Sequence, residues 1–235
     1  MQKLLLLCVA VLLLGSCAKD HTVNPVNSKP SFKLSFAPVV NGIPNTPWKQ
    51  VLGGKGLITF AFIANDTVTA STIKDSVSLK DISTYKHDVL AGAYNITLGT
   101  VSAAVADTFI RFNAQAQNIT INKDQAISLP ATTTDGVITI SKSLIKAGTT
   151  PTFTDAKTAV VYKLGLANDY YFLYAKDATA GRLSFTETTS GDVFLKDLTL
   201  AALNWYDVSA VLNKTSSVSI AQHAFNLNGF SGKVQ

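Results

Sequence analysis

The chain has 235 residues, of which 47% are hydrophobic and 15% are charged, and its formal net charge is +5. This amount of apolar material excludes a disordered chain. The 20 Lys and Arg residues are scattered singly and are not interleaved with aromatic residues, so nucleic acid is not an expected partner.

The first residues have the pattern of an export signal. Lys3 precedes an uninterrupted apolar run from Leu4 to Leu14. The run is shorter than the roughly 20 residues needed to span a bilayer and has the length of a signal-peptide core. Leu14-Gly15-Ser16-Cys17 then resembles the lipobox of bacterial lipoproteins. The resemblance implies a diacylglycerol on the Cys17 sulfur and cleavage between Ser16 and Cys17.

This interpretation divides the start of the chain into a lipoprotein signal peptide, residues 1–16, and a flexible tether, residues 17–30. The alternative is an ordinary secretory signal in which Cys17 is an incidental small residue. The other cysteine, Cys8, lies in the segment that would be removed, so the mature chain would hold no disulfide. Ala18 replaces the Asp typical of inner-membrane retention. We therefore expect a lipid anchor in the outer membrane, with the leaflet undecided.

The rest of the chain is predicted to be mostly strand. Glu187 is the only Glu among 15 acidic residues, and the Asp residues that make up the rest favour turns rather than helices. Apolar residues also alternate with polar ones, as at Phe32, Leu34 and Phe36. Further strands are predicted at 57–63, 89–98, 109–112, 119–121, 137–140, 160–166, 170–176, 182–185, 192–200, 205–212 and 217–225.

Three local features complete this prediction. Short helices are expected around Ser71–Asp75 and Leu198–Leu203, and Asp177–Gly181 is expected to close a hairpin. The alternation stops between Ser141 and Asp155, where Gly148 and Pro151 flank two Thr residues. We therefore expect two domains, residues 31–148 and residues 151–235.

Two segments carry a resemblance to a known family. Val89–Leu98 contains Leu-Ala-Gly-x-Tyr followed by alternating apolar residues, and 117–140 has two strands around a Leu-Pro-Ala-Thr bend. Both segments resemble fimbrillin-like lipoproteins, and Asn204–Val208 is similar to the start of another strand of that family. The resemblance implies an all-β fold of two tandem β-sandwich domains, of Greek-key or transthyretin-like type, after the signal peptide. It also implies a surface structural or adhesive role.

The family also includes subunits that polymerise by strand donation after processing at an Arg downstream of the lipid. The only Arg residues of this chain, Arg111 and Arg182, both lie in predicted strands. The resemblance therefore fits an accessory protein that keeps its lipid, or an unrelated surface lipoprotein, better than a major stalk subunit.

The sequence contains no recognisable catalytic motif. A nucleophile elbow, a phosphate-binding loop, a zinc-protease helix and a calcium loop are all missing. His21, His87 and His223 are far apart and lack the spacing of a zinc site, so no metal or cofactor is predicted. The Asp residues are scattered over predicted turns, and nothing singles out two of them as a hydrolase pair. A non-enzymatic protein is therefore expected.

Aromatic residues give the one binding signal. Trp48, Trp205 and Tyr171 are candidates for stacking against sugar rings. With strict alternation, Trp205, Asp207 and Ser209 share the outer face of their strand, and an apolar platform flanked by polar groups is typical of ligand sites. Packing in the core or at an interface is the interpretation that the sequence favours, with Tyr171 covering an edge, and stacking against a sugar is its alternative.

Two function hypotheses follow from the sequence. The first is a non-enzymatic cell-envelope lipoprotein with a structural or adhesive role at the surface. The second is a glycan-binding lipoprotein that helps to capture polysaccharide. The expected partners are the membrane, through the lipid anchor, and other surface proteins or glycans.

Overall fold

A computed structural model describes the ranges 31–39, 54–64, 67–167, 169–211, 217–225 and 229–235. The predicted signal peptide and tether lie outside the described residues, and so does Trp48. Within those ranges the regular secondary structure is strand, apart from short 3₁₀ helices at Leu79–Thr84 and Lys142–Leu144. The predicted all-β class is confirmed.

The described residues form nineteen strands, which are numbered in chain order. Their bounds are β1 (Ser31–Val39), β2 (Lys55–Ala64), β3 (Thr67–Ser78), β4 (Lys86–Leu90), β5 (Gly92–Thr100), β6 (Ala106–Asp107), β7 (Asn113–Ile121), β8 (Gln125–Leu129), β9 (Ala131–Thr132), β10 (Asp135–Ser141), β11 (Thr152–Asp155), β12 (Val161–Lys163), β13 (Gly165–Ala167), β14 (Tyr170–Lys176), β15 (Thr179–Thr186), β16 (Val193–Leu200), β17 (Asn204–Val211), β18 (Ser217–Ala224) and β19 (Gly229–Val234).

These strands form four sheets. The first sheet has the order β4-β1-β19-β8, and the second has the order β3-β2-β5-β7-β9. The central sheet has the order β13-β14-β10-β17-β18, with β6 also paired to β14, and the outer sheet has the order β12-β11-β15-β16. Among the described strands, every pairing is antiparallel except that of β10 with β17.

The central sheet separates two hydrophobic cores. Val137 and Tyr174 on one of its faces join the first core, which the first and second sheets complete. Ile138, Leu173 and Val208 on the other face join the second core, against the outer sheet. Because both faces are covered, consecutive residues of β10 and β14 are buried, rather than every second residue.

Several strand pairings cross the boundary expected between residues 148 and 151. Strand β10 comes before that boundary, yet it lies in the middle of the central sheet between β14 and β17. Strand β19, from the other end of the chain, lies between β1 and β8 in the first sheet. At the break in alternation the chain instead passes from the central sheet to the outer sheet. The division into domains 31–148 and 151–235 stays a prediction, and the central and first sheets each contain strands from both ranges.

The segment that carries the family resemblance forms a corner between two sheets. The chain leaves β4 in the first sheet and enters β5 in the second at Ala91. The hydroxyl of Tyr94 donates to the carbonyl of Leu90 at 2.8 Å, and its ring meets the Phe62 ring edge-on at 5.4 Å. A Cβ at Gly92 would lie 2.3 Å from the Phe62 ring. Gly92 and Tyr94 thus fix this corner together, as in other β-sandwiches.

Neither predicted helix forms. Ser71–Asp75 lies within β3, where Ile73 pairs with Phe60 of β2. Leu198 and the two residues after it belong to β16, and the chain then turns through Leu203 at a φ of 57°. In both places the pairing with a neighbouring strand overrides local helix propensity.

Two further local predictions are wrong. The segment Phe109–Phe112 is not a strand, because the backbone N–H of Arg111 donates to the carboxylate of Asp135 instead of to a neighbouring strand. Asp177–Gly181 does not close a hairpin either, because β14 belongs to the central sheet and β15 to the outer sheet. A turn through Ala178, at a φ of 59°, carries the chain from one sheet to the other.

Candidate functional site

The predicted platform residue Trp205 is buried. It lies on β17 with 9% of its surface exposed, and its ring faces the first core beside His223, with ring centroids 4.8 Å apart. Its indole N–H donates to the hydroxyl of Thr139 at 2.6 Å, and that hydroxyl donates to Asp207 at 3.1 Å. Trp205 therefore packs against the first core and does not form the exposed platform that strict alternation suggests.

The other predicted site residues lie apart from Trp205. Tyr171 is half-buried on β14, packs against the second core and directs its hydroxyl to the carbonyl of Thr149 at 3.4 Å. Trp48 and the lipidation residues Ser16 and Cys17 lie outside the described part of the chain. The structure therefore brings none of the described candidates together, and their roles stay predictions.

A buried ion pair joins the segment before β7 to the first residue of β10. Arg111 donates to the carboxylate of Asp135 from its backbone N–H at 2.8 Å and from Nε at 3.0 Å. The Nη2 atom of Arg111 lies 2.8 Å from Oδ1 of the same carboxylate. Burial raises the pKa of Asp135 above its ordinary value, against the opposing hydrogen bonds from Arg111. The hydroxyl of Thr133 accepts from the backbone N–H of Asp135 and donates to the Arg111 carbonyl. These hydrogen bonds hold the two segments together.

Two other buried carboxylates organise turns. Glu187 accepts from the backbone N–H groups of Thr189 and Ser190 at 2.8 and 2.6 Å. Asp155 accepts from the backbone N–H of Lys157 at 2.7 Å. The pKa values of Glu187 and Asp155 both lie below their ordinary range because of these bonds. The largest contribution comes from the Ser190 N–H at Glu187 and from the Lys157 N–H at Asp155. Both carboxylates are therefore structural turn caps.

An open depression lies on the solvent side of the outer sheet, and we call it the outer groove. It has a volume of about 860 Å³. Its floor is formed by β11, β15 and β16, and one wall by the turn that follows β11. The residues that line it include Thr154, Ala156, Ala159, Ala180, Arg182, Asp197 and Thr199.

An ion pair between Arg182 and Asp197 lies in this groove. The Nε atom of Arg182 donates to Asp197 at 2.6 Å and Nη2 donates at 2.9 Å, so the two planar groups meet through two parallel hydrogen bonds. The side chains remain 57% and 70% exposed. The Arg182 hydrogen bonds hold the pKa of Asp197 below its ordinary value, and those same bonds raise the pKa of Arg182.

Sequence reasoning missed the groove. It noted Arg182 only as an unsuitable processing site and placed Asp197 in a strand without a role. The alternation of β15 signals that Ala180 and Arg182 face outward. The partner of Arg182 depends on the register of β15 with β16, and that register is set by the turn that Glu187 caps.

The described residues contain no cluster of three His, Cys, Asp or Glu side chains that could hold a metal ion. His87 stacks on Phe60 with ring centroids 5.0 Å apart, and His223 lies on Trp205. Over the same ranges, no helix has the length and apolar character required to cross a membrane.

No protein-family model matches the chain, and no curated protein matches its sequence. Solved structures do match it. The tip fimbrial protein Mfa3 of Porphyromonas gingivalis, in a C-terminally truncated form, has a TM-score of 0.43 and 8% identity, over 83% of this chain and 100% of its own. A fimbrial assembly protein of Parabacteroides distasonis has a TM-score of 0.41 and 9% identity, over 85% of this chain and 100% of its own.

A third solved structure is that of a candidate polysaccharide-binding protein from Bacteroides thetaiotaomicron. Its TM-score is 0.30 and its identity 11%, over 75% of this chain and 92% of its own.

Proposed function

We propose that this protein is a non-enzymatic cell-envelope lipoprotein, anchored in the outer membrane through lipid on Cys17, with a structural or adhesive role at the cell surface. The lipobox-like Leu14-Gly15-Ser16-Cys17 supports the anchor. The all-β body and the likeness of Val89–Leu98 to fimbrillin-like lipoproteins support the role.

The observation that carries the proposed role is the open edge at β18. In the described part of the chain, β18 pairs with β17 over eight residue pairs without a shift in register, and no described strand pairs with its other side. Its sequence, Ser-Val-Ser-Ile-Ala-Gln-His-Ala, holds no charged residue and no proline. Charges, prolines and bulges are the usual protection of an edge strand against pairing with another chain.

The contrast with the other long edge strands, β3 and β16, supports this interpretation. Edge strand β3 carries Lys74 and Asp75, and edge strand β16 carries Lys196 and Asp197. A strand from a partner protein could pair along β18 through backbone hydrogen bonds without burying a charge. We therefore place the proposed contact with other surface proteins at β18.

The occupied buried carboxylates support a non-enzymatic role. Asp135 is held by Arg111, and Asp155 and Glu187 cap turns through backbone N–H groups. A general acid or base must reach a substrate proton, whereas these carboxylates already accept hydrogen bonds that shape the fold.

The test is photocrosslinking in the producing cell. A photoreactive residue at Ser219, on β18, is expected to give covalent adducts with other envelope proteins. The same probe at Thr97, on the central strand β5, is the matched control and should give none. No adduct at Ser219, together with antibody labelling confined to the periplasm, would refute the proposed role.

A second candidate function is glycan binding in support of polysaccharide capture, and the outer groove is the observation that favours it. Its test is a glycan array probed with the lipid-free mature chain, residues 18–235. A blank array would remove this candidate and leave the structural role.

A further inference from the structure

The outer groove contains polar groups that the fold does not need. Arg182 and Asp197 are each more than half exposed, on the solvent face of the outer sheet. Ion pairs of this kind contribute little to folding stability because water solvates both partners in the unfolded chain. Their pairing nevertheless orders two planar groups at the floor of a depression.

The pair presents donors and acceptors side by side. Two of the five guanidinium N–H donors of Arg182 bind Asp197, and the others remain for a ligand. Each carboxylate oxygen of Asp197 accepts one bond from Arg182 and has a second lone pair. Neighbouring hydroxyl groups on a sugar ring match this arrangement, because each hydroxyl both donates and accepts.

The walls of the groove suit close contact with a ring. Ala156, Ala159 and Ala180 present only methyl groups, so an apolar ring face can approach the backbone of β15. Thr154 and Thr199 add hydroxyls at the two sides. A volume of about 860 Å³ lies within the range of about 300–1,000 Å³ that is common for ligand sites.

We propose that the outer groove is a binding site for a neutral glycan, held by Arg182 and Asp197 through adjacent hydroxyls. This inference rests on the second proposed function and gives that function a site in place of Trp205. The opposite charges of Arg182 and Asp197 favour a glycan without net charge. An anionic glycan would meet the exposed carboxylate of Asp197, and a cationic one would meet the guanidinium of Arg182.

The test is binding of the lipid-free mature chain to a panel of defined polysaccharides, measured by calorimetry and by affinity electrophoresis. The neutral probes are dextran, laminarin and mannan, and the anionic probes are heparin and polygalacturonate. Arg182→Ala and Asp197→Ala are each expected to weaken binding of a neutral polysaccharide at least tenfold. Ala180→Phe fills the groove without removing a polar group and should do the same.

Lys196→Ala is the matched control, since it removes an exposed charge from the same strand on the opposite face and should leave binding unchanged. Circular dichroism of each variant establishes that it is folded. Neutral-glycan binding that all three groove variants leave intact would overturn the site while the glycan-binding function stands. If no polysaccharide of the panel binds, both the site and the glycan-binding function are overturned. Binding of anionic probes alone, strengthened by Asp197→Ala, would overturn the assignment to a neutral ligand.

Discussion

Arg111 and Asp135 form a buried ion pair in which the backbone and the side chain of one residue bind the same carboxylate. Asp135 is fully buried, and Arg111 is 8% exposed. Asp135 is also the first residue of β10, the strand between β14 and β17 in the central sheet. The pair therefore fixes where the chain enters the sheet that both cores share.

Replacing one partner of this pair should destabilise the protein strongly. Asp135→Asn leaves the Arg111 guanidinium buried without a countercharge, and such changes cost about 3–5 kcal/mol. Urea unfolding followed by circular dichroism measures the loss. Asp197→Asn, which opens the exposed pair, is the control and should have little effect. Equal stability of the two variants would contradict the structural role of the buried pair.

Trp205 should matter for stability rather than for binding. Trp205→Ala removes a buried ring and its hydrogen bond to Thr139, and changes of this kind cost about 3–5 kcal/mol. Trp205→Phe keeps most of the ring volume and should cost less. Chemical denaturation of both variants checks the order. A Trp205→Ala variant as stable as the wild type would show that the ring is not part of the first core.

Removing the hydroxyl oxygen of Tyr94 should lower the stability of the corner between β4 and β5. Tyr94→Phe removes the hydrogen bond to Leu90 and keeps the ring against Phe62, so the expected loss is about 1 kcal/mol. Tyr171→Phe removes a longer bond, 3.4 Å, and should change the free energy of unfolding less. A larger effect at Tyr171 than at Tyr94 would argue against the corner as a stabilising element.

The turn caps predict acid sensitivity. The pKa values of Glu187 and Asp155 lie below their ordinary values of 4.5 and 3.8, because the ionised forms accept backbone hydrogen bonds in the folded chain. The unfolded chain therefore binds protons more readily. The stabilisation is complete above these ordinary values and is lost as the pH falls through the lowered pKa values.

Melting temperatures measured from about pH 6 to about pH 3 test this. The wild type should lose stability over the acid part of that range, and Glu187→Gln should lose less of its remaining stability there. Asp192→Asn, in the same turn, is the control because its side chain does not cap these N–H groups. An unchanged acid response in Glu187→Gln would exclude Glu187 as a source of the effect.

Lipidation gives a prediction that is independent of the fold. Cys17→Ser should leave uncleaved or soluble protein, because the lipid acceptor is lost. Membrane fractionation and metabolic labelling with palmitate measure the change. If Cys17→Ser fractionates with the membrane like the wild type, the lipobox interpretation is wrong. Cys8→Ser, in the predicted signal peptide, should be lipidated normally and serves as the control.

Strands with one covered face were predictable from sequence. Leu34 and Phe36 of β1, and Tyr94 and Ile96 of β5, alternate with more exposed residues and are buried as predicted. Alternation carries this information because only one face of such a strand meets a core.

The orientation of Trp205 was not predictable in the same way. Trp205 packs against the first core and the adjacent Tyr206 against the second, so burial does not alternate at this end of β17. The outer groove was not predictable from the sequence for another reason. Arg182 and Asp197 are neighbours only because of the β15–β16 register, and residues 15 positions apart carry no periodic signal of that contact.

The position of β19 between β1 and β8 has a consequence for biogenesis. The first sheet is interrupted until residues 229–234 take their place, so its completion depends on a segment far from β1 and β8 in the chain. Such pairing between distant ends of a chain closes slowly. Until β19 is in place, the facing edges of β1 and β8 therefore stay unpaired, and such unpaired strand edges make a folding chain prone to aggregation.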